Sequence, residues 1–184
     1  MALVVISTPG AVNANSFQSV SEIDDYFLAR VPNSVAQDWL GADAPDKDAA
    51  AVMATTQMTA LICWTGYPTS TDQALPWPRN SMLTKEGLSF IDSGSIPREL
   101  KNAHAELARL LLLSDRLAER SQDMEGLASL KAGPVTLSFR NASGKGSSTP
   151  PRPVIPDYII SMLPENWIDD VDSGYSSEIE LLRS

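Results

Sequence analysis

The sequence predicts a mainly α-helical fold: a small helical bundle with a long central helix, a short β-hairpin or strand, and extended N- and C-terminal segments. Three observations predict it. Leucine and alanine recur at helical spacing through residues 97–120. The thirteen prolines and ten glycines cluster in loops and leave two long stretches free for helix. The one clear alternation of apolar and polar residues is short, with Val135, Leu137 and Phe139 set against Thr136, Ser138 and Arg140.

Taken in order, residues 3–6 form a β-prone run closed by Ser7-Thr8-Pro9-Gly10, an N-terminal strand or arm. Ser19-Val20-Ser21-Glu22 is a capping box, and the helix behind it spaces Ile23, Tyr26, Phe27 and Arg30 helically until Pro32 stops it. A short apolar piece, residues 35–40, ends at Gly41. Asp43-Ala44-Pro45 opens a second helix expected to reach Trp64, and its many alanines imply close approach by a neighbouring helix. Residues 67–96 carry five prolines and glycines yet also Leu75, Trp77, Met82, Leu83, Leu88, Phe90 and Ile91, so they are expected to be an ordered loop with a job. Ser95 is expected to cap the longest helix, with Pro97 in its first turn and its end near Arg120. Leu110, Leu112 and Leu113 widen its apolar stripe beyond what one core needs, as if it were shared with another subunit. After a turn at residues 122–126 come the hairpin, a Gly/Ser/Pro loop at 141–153, a short helix between Pro156 and Pro164, and an acidic tail with Trp167, Ile168 and Tyr175.

The net charge is −9, which argues against bulk attraction to nucleic acid. The charge is uneven. Residues 79–152 hold eleven basic residues against eight acidic ones, and residues 131–152 hold Lys131, Arg140, Lys145 and Arg152 with no acid. A single cysteine, Cys63, excludes an intramolecular disulfide and is expected to be small, apolar and buried. The first residues are too short an apolar run for a signal peptide or membrane span, so a soluble protein made in the cytoplasm is expected.

Chemistry finds little to work with. His104 is the only histidine and lies on the apolar face of the long helix, where a hydrogen-bonded core role is expected. One His and one Cys do not make a zinc site. Gly144-Lys145-Gly146-Ser147-Ser148 lacks phosphate-loop spacing, and Pro150-Pro151 forbids the helix such a loop needs. Asp169-Asp170-Val171-Asp172 lacks the glycine and distal Glu of an EF-hand. No catalytic residue, metal or cofactor is expected, and single-strand binding finds only Trp77-Pro78-Arg79 and Phe139-Arg140 pairing a ring with a cation.

Trp64-Thr65-Gly66 followed by Gln73-Ala74-Leu75-Pro76-Trp77-Pro78-Arg79 resembles the W-x-G…Q-A-L-x-W-P-R signature of a family of phage proteins. Some of its members are labelled DnaT-like single-stranded DNA-binding proteins and others head–tail connectors or adaptors. Ala14-Asn15-Ser16-Phe17 with Ala29, Ile96-Pro97 with Ala103 and Glu106-Leu107-Ala108, and Lys131-Ala132-Gly133-Pro134-Val135 resemble further family segments in order. Phe17 stands where the family usually has Tyr, and the 141–153 loop and acidic tail match nothing in it. The resemblance implies a non-enzymatic head–tail connector (adaptor) of a tailed bacteriophage, residues 1–163 with an arm at 1–18, followed by the acidic tail 164–184. Twelve copies would ring the DNA channel below the portal protein, above a stopper or tail-side neck protein. That places the chain in the virion neck, assembled in the host cytoplasm, with genomic DNA passing unread and no membrane contact. Leu110, Leu112, Leu113, Trp77, Arg79, Lys145, Arg152, Trp167 and Tyr175 are the expected ring or partner contacts, with Arg79 paired to a carboxylate. The alternative reading is a single-stranded DNA-binding accessory protein of replication.

Overall fold

Ser19 opens α1 (Val20–Leu28) with the predicted capping box: Ser19 Oγ accepts the Glu22 N–H at 3.2 Å, and the Glu22 carboxylate accepts the Ser19 N–H at 2.8 Å. The computed structural model describes residues 3–30, 34–115, 129–132, 135–138 and 153–169. Ahead of α1 the chain runs irregularly through turns at Pro9-Gly10 and Val12-Asn13. Asn15 clasps it by accepting the Ile6 N–H at 2.7 Å and donating to the Val4 carbonyl at 2.8 Å, and Phe17 is thereby delivered into the core.

The bundle is built from α1, α2 (Ser34–Leu40), α3 (Ala44–Leu61) and α4 (Arg98–Leu113). Ala50, Ala51 and Ala54 of α3 are buried, as are Ala103, Leu107 and Ala108 of α4. The five alanines among them let the two helix axes approach closely, and α3 against α4 is the main packing seam. At the other side Trp39 of α2 stacks on Phe27 with centroids 5.9 Å apart. Asp24 then accepts hydrogen bonds from Trp39 Nε1 at 2.7 Å and Lys47 Nζ at 2.9 Å, so one carboxylate ties α1, α2 and α3.

Two helix ends depart from expectation. The N-cap of α4 is Pro97 rather than Ser95, and the helix stops at Leu113, where Ser114 is extended (φ −166°, ψ 149°), short of Arg120. Ser114 and Asp115 are residues whose side chains favour helix ends over interiors. Arg116, Arg120 and the turn at 122–126 lie outside the described residues. α3 ends at Leu61 rather than Trp64, because Ile62 turns extended (φ −108°, ψ 123°). The strand-like segment that follows buries Ile62 and Trp64 and turns the alternate residue outward, so Cys63 is exposed rather than buried.

Between α3 and α4 the ordered loop holds a short antiparallel pair, β1 (Tyr67–Pro68) with β2 (Arg79–Asn80), in register Tyr67↔Asn80. The predicted hairpin is present as β3 (Ser129–Ala132) and β4 (Val135–Ser138), paired antiparallel with Lys131 opposite Thr136. The last α-helix among the described residues, α5 (Asp157–Ile160), starts after Pro156, and a 3₁₀ turn (Glu165–Trp167) carries the chain back to the end of α3. Thr65 N–H donates to the Trp167 carbonyl at 3.0 Å, and Asp169 N–H to the Cys63 carbonyl at 2.9 Å. Residues 164–169 are therefore woven into the fold, while 170–184 lie outside the described residues.

Candidate nucleic-acid interface

The loop layer between α3 and α4 is organised around the signature residues. Trp77 is 1% exposed and meets Trp64 edge-to-face at 5.5 Å and Trp167 at 5.2 Å. Trp167 anchors the trio by donating its indole N–H to the Leu83 carbonyl at 2.6 Å. The Trp77–Pro78 peptide bond is cis. Gly66 has φ +67°, and a Cβ there would collide with the Asn80 carbonyl oxygen, so the glycine of W-x-G is required by β1–β2 pairing.

Arg79 is buried as expected, but its partners are carbonyls and not a carboxylate. Nε donates to Thr65 O at 2.7 Å, Nη1 to Pro76 O at 3.1 Å, and Nη2 to Trp64 O at 3.2 Å and Gly66 O at 2.7 Å. Burial pushes its pKa down, and the charge of Asp169 works the other way. The fork-shaped guanidinium suits this task because one group can satisfy carbonyls from two chain segments at once. Gln73 does the same on a smaller scale. Its amide donates to the Leu75 and Pro78 carbonyls and accepts the Ser70 N–H. The Q-A-L-P-W-P-R run is thus a device that holds the layer rigid.

What the layer presents outward is a projecting turn. Leu83 bridges Phe90, Thr84 N–H donates to Ser89 O at 2.8 Å, and Gly87 N–H donates to Thr84 O at 2.8 Å with Gly87 at φ +70°. On and beside this turn Phe90 is 71% exposed and Leu88 88% exposed, with Lys85 exposed as well. Tyr67 on β1 is also exposed. Exposed rings on a braced backbone are what base stacking needs, and the turn exposes one cation, Lys85, followed by one acid, Glu86. Phe90 and Leu88 were legible in the sequence only as apolar loop residues; Lys85-Glu86-Gly87 marks the turn, but nothing in the sequence says which side chains it turns out.

The remaining expected contact residues fall in several places. Leu110 and Leu112 are half-buried and pack against the chain's own core, and only Leu113 is 59% exposed. Trp77 and Trp167 are interior. Lys145, Arg152 and Tyr175 lie outside the described residues. His104 is fully buried. Gln18 Nε2 faces its Nδ1 at 3.1 Å, while Thr55 Oγ1 and the Ala51 carbonyl each lie 2.9 Å from its Nε2. No helix among the described residues is long and apolar enough to cross a membrane, and no group of three His, Cys, Asp or Glu there could hold a metal.

A family model described as "Putative DnaT-like ssDNA binding protein" matches residues 1–184. No curated protein and no solved structure matches the chain. The family finding overturns the head–tail connector expectation, because the description that spans the whole chain is of a single-stranded DNA-binding protein and carries no virion or neck component. The physical ground for a twelve-membered ring also shrinks: most of the leucine surplus on α4 is taken up inside the chain.

Proposed function

Because the chain belongs to the DnaT-like single-stranded DNA-binding family, we propose that it binds single-stranded DNA as a non-catalytic accessory of replication. The whole-chain family match carries this reading. Two features support it. The loop layer offers Phe90 and Tyr67 as exposed rings, and the turn between Leu83 and Phe90 also exposes Lys85. The sequence concentrates Lys131, Arg140, Lys145 and Arg152 in an acid-free stretch, a local source of phosphate contacts in a chain of net charge −9. Stacking accepts any base, so little sequence preference is expected.

This reading gives the chain no chemical step, and the lone histidine spends both ring nitrogens inside the core. Fluorescence anisotropy of a labelled oligothymidylate tests the proposal. Binding at low salt that weakens steadily as salt rises is expected, and no binding at low salt would overturn it. Replacing both Phe90 and Tyr67 by Ala should weaken binding by about tenfold or more without changing the salt slope, since each stacked base contributes roughly 1–3 kcal/mol and no phosphate contact is lost.

A further inference from the structure

Away from the loop layer, α1, α2, α4 and the α5 region enclose an open cleft of about 300 Å³. Its walls are Tyr26, Arg30, Val35, Glu106, Arg109, Tyr158 and Met162. Glu106 lies at the bottom, only 4% exposed, and its two oxygens serve different partners. Oε1 accepts hydrogen bonds from Arg30 Nη1 and from the Tyr26 hydroxyl, the latter at 2.8 Å. Oε2 stands 3.5 Å from Arg109 Nε. One carboxylate therefore contacts two arginines that line the same cleft.

Arg109 is the unusual member. Its side chain is 8% exposed, yet its Nε has no hydrogen-bond partner, and its Nη1 reaches Asp38 only at 3.4 Å. A buried guanidinium normally has close, charge-assisted contacts. Here two loose ones stand in their place, and Glu106 is already shared with Arg30 and Tyr26. Two guanidinium groups and two carboxylates thus meet here, and Arg109 is the one held at arm's length, with its Nε donor left unbonded. Tyr158, half exposed at the rim, offers a ring, and Met162 and Val35 an apolar wall.

We propose that this cleft is a nucleotide subsite, taking a phosphate of the DNA strand between Arg30 and Arg109 with its base laid on Tyr158. The proposal rests on the single-strand reading and adds a second contact surface to it. Tyr26, its hydroxyl held by Glu106, and Glu106 itself are positioning residues. The volume sits at the low end of small-molecule sites, roughly 300–1,000 Å³, and suits one nucleotide unit rather than a longer segment. A bound phosphate could be internal to the strand, at its 5′ end, or on a free mononucleotide; the chemistry is shared.

Arg30→Gln and Tyr158→Ala separate the possibilities, since both side chains are partly exposed and neither is core. Circular dichroism and Tm first establish that each variant is folded. With oligothymidylate, Arg30→Gln should lower affinity about tenfold and flatten the plot of log affinity against log salt by about 0.7, the contribution of one single-strand phosphate. Tyr158→Ala should lower affinity several-fold and leave that slope unchanged. Wild-type binding with neither variant altered would overturn the subsite and leave the single-strand reading standing. Matched oligonucleotides with and without a 5′ phosphate, and thymidine 5′-monophosphate alone, then report which phosphate it prefers. Should wild type not bind the oligonucleotide at all, the family-based reading falls and the cleft is judged by inorganic phosphate. A phosphate-dependent rise in Tm that Arg30→Gln abolishes supports the cleft; no such rise overturns it.

Discussion

At the scale of single residues, His104 shows how a hydrogen-bond network chooses a tautomer. Gln18 Nε2 already donates to the Lys101 carbonyl at 2.7 Å, and its other hydrogen points to Nδ1, so Nδ1 accepts. Nε2 must then carry the proton, which it shares between the Ala51 carbonyl and Thr55 Oγ1. Burial opposes a charged ring and moves its pKa down to about 4, against a weaker upward pull from the Ala51 carbonyl. A folded pKa below the unfolded one means that the unfolded chain takes up the proton first. The stability His104 supplies is thus complete above about pH 6.5 and is lost as pH falls toward 4, a change on the order of 3 kcal/mol. Glu22 moves the same way at lower pH. Burial raises its pKa, but hydrogen bonds from Lys101 and Ser19 outweigh that and leave it lowered from 4.5. Urea denaturation between pH 7 and 5 therefore isolates the histidine. The midpoint should fall across that window in the wild type and stay nearly flat in His104→Gln.

At the scale of elements, the loop layer is where local geometry decides most. Gly66 and Gly87 both have positive φ, but only Gly66 faces an obstruction, the Asn80 carbonyl, with Met82 Sδ 2.9 Å from an added Cβ. Gly87→Ala should cost about 1 kcal/mol of backbone strain, and Gly66→Ala about 2–3 kcal/mol, as the β1–β2 pair must also shift. Chemical denaturation of the two variants side by side reads the difference as the collision alone. How far the sequence foretold these elements depended on the range of the forces involved. The capping box at Ser19 and Glu22 and the start of α5 after Pro156 are matters of three or four neighbouring residues, and they were legible; α1 itself ends at Leu28, short of the expected Arg30. The ends of α3 and α4 were not, since Ile62 leaves the helix to meet a segment about a hundred residues further on. Cys63 faces out for the same reason. Arg79 was legible as buried, but its partners are backbone carbonyls, which no residue letter announces. The Arg30–Glu106–Arg109 cleft gathers side chains 76 residues apart and gives no local sign at all.

At the scale of the whole molecule, the fold is closed by its own late segment. Trp167 caps Trp77, and Thr65 bonds both the Trp167 carbonyl and, through its hydroxyl, the Asn166 carbonyl at 2.9 Å. Trp167→Ala should cost roughly 3–5 kcal/mol, the usual range for emptying a large aromatic site, and should leave Trp77 fluorescence more accessible to a soluble quencher. If the quenching is unchanged, the trio is less interdependent than its geometry implies. The same closure orders events during synthesis. Thr65 leaves the ribosome 101 residues before Asn166, its partner, so the helices can associate while the tryptophan layer still stands open. A nascent chain at that point leaves Trp64 and Trp77 without the Trp167 ring that covers them in the finished fold. Any single-strand contact made by the braced turn at Phe90 must wait until the last stretch of the described chain has been translated and has folded back.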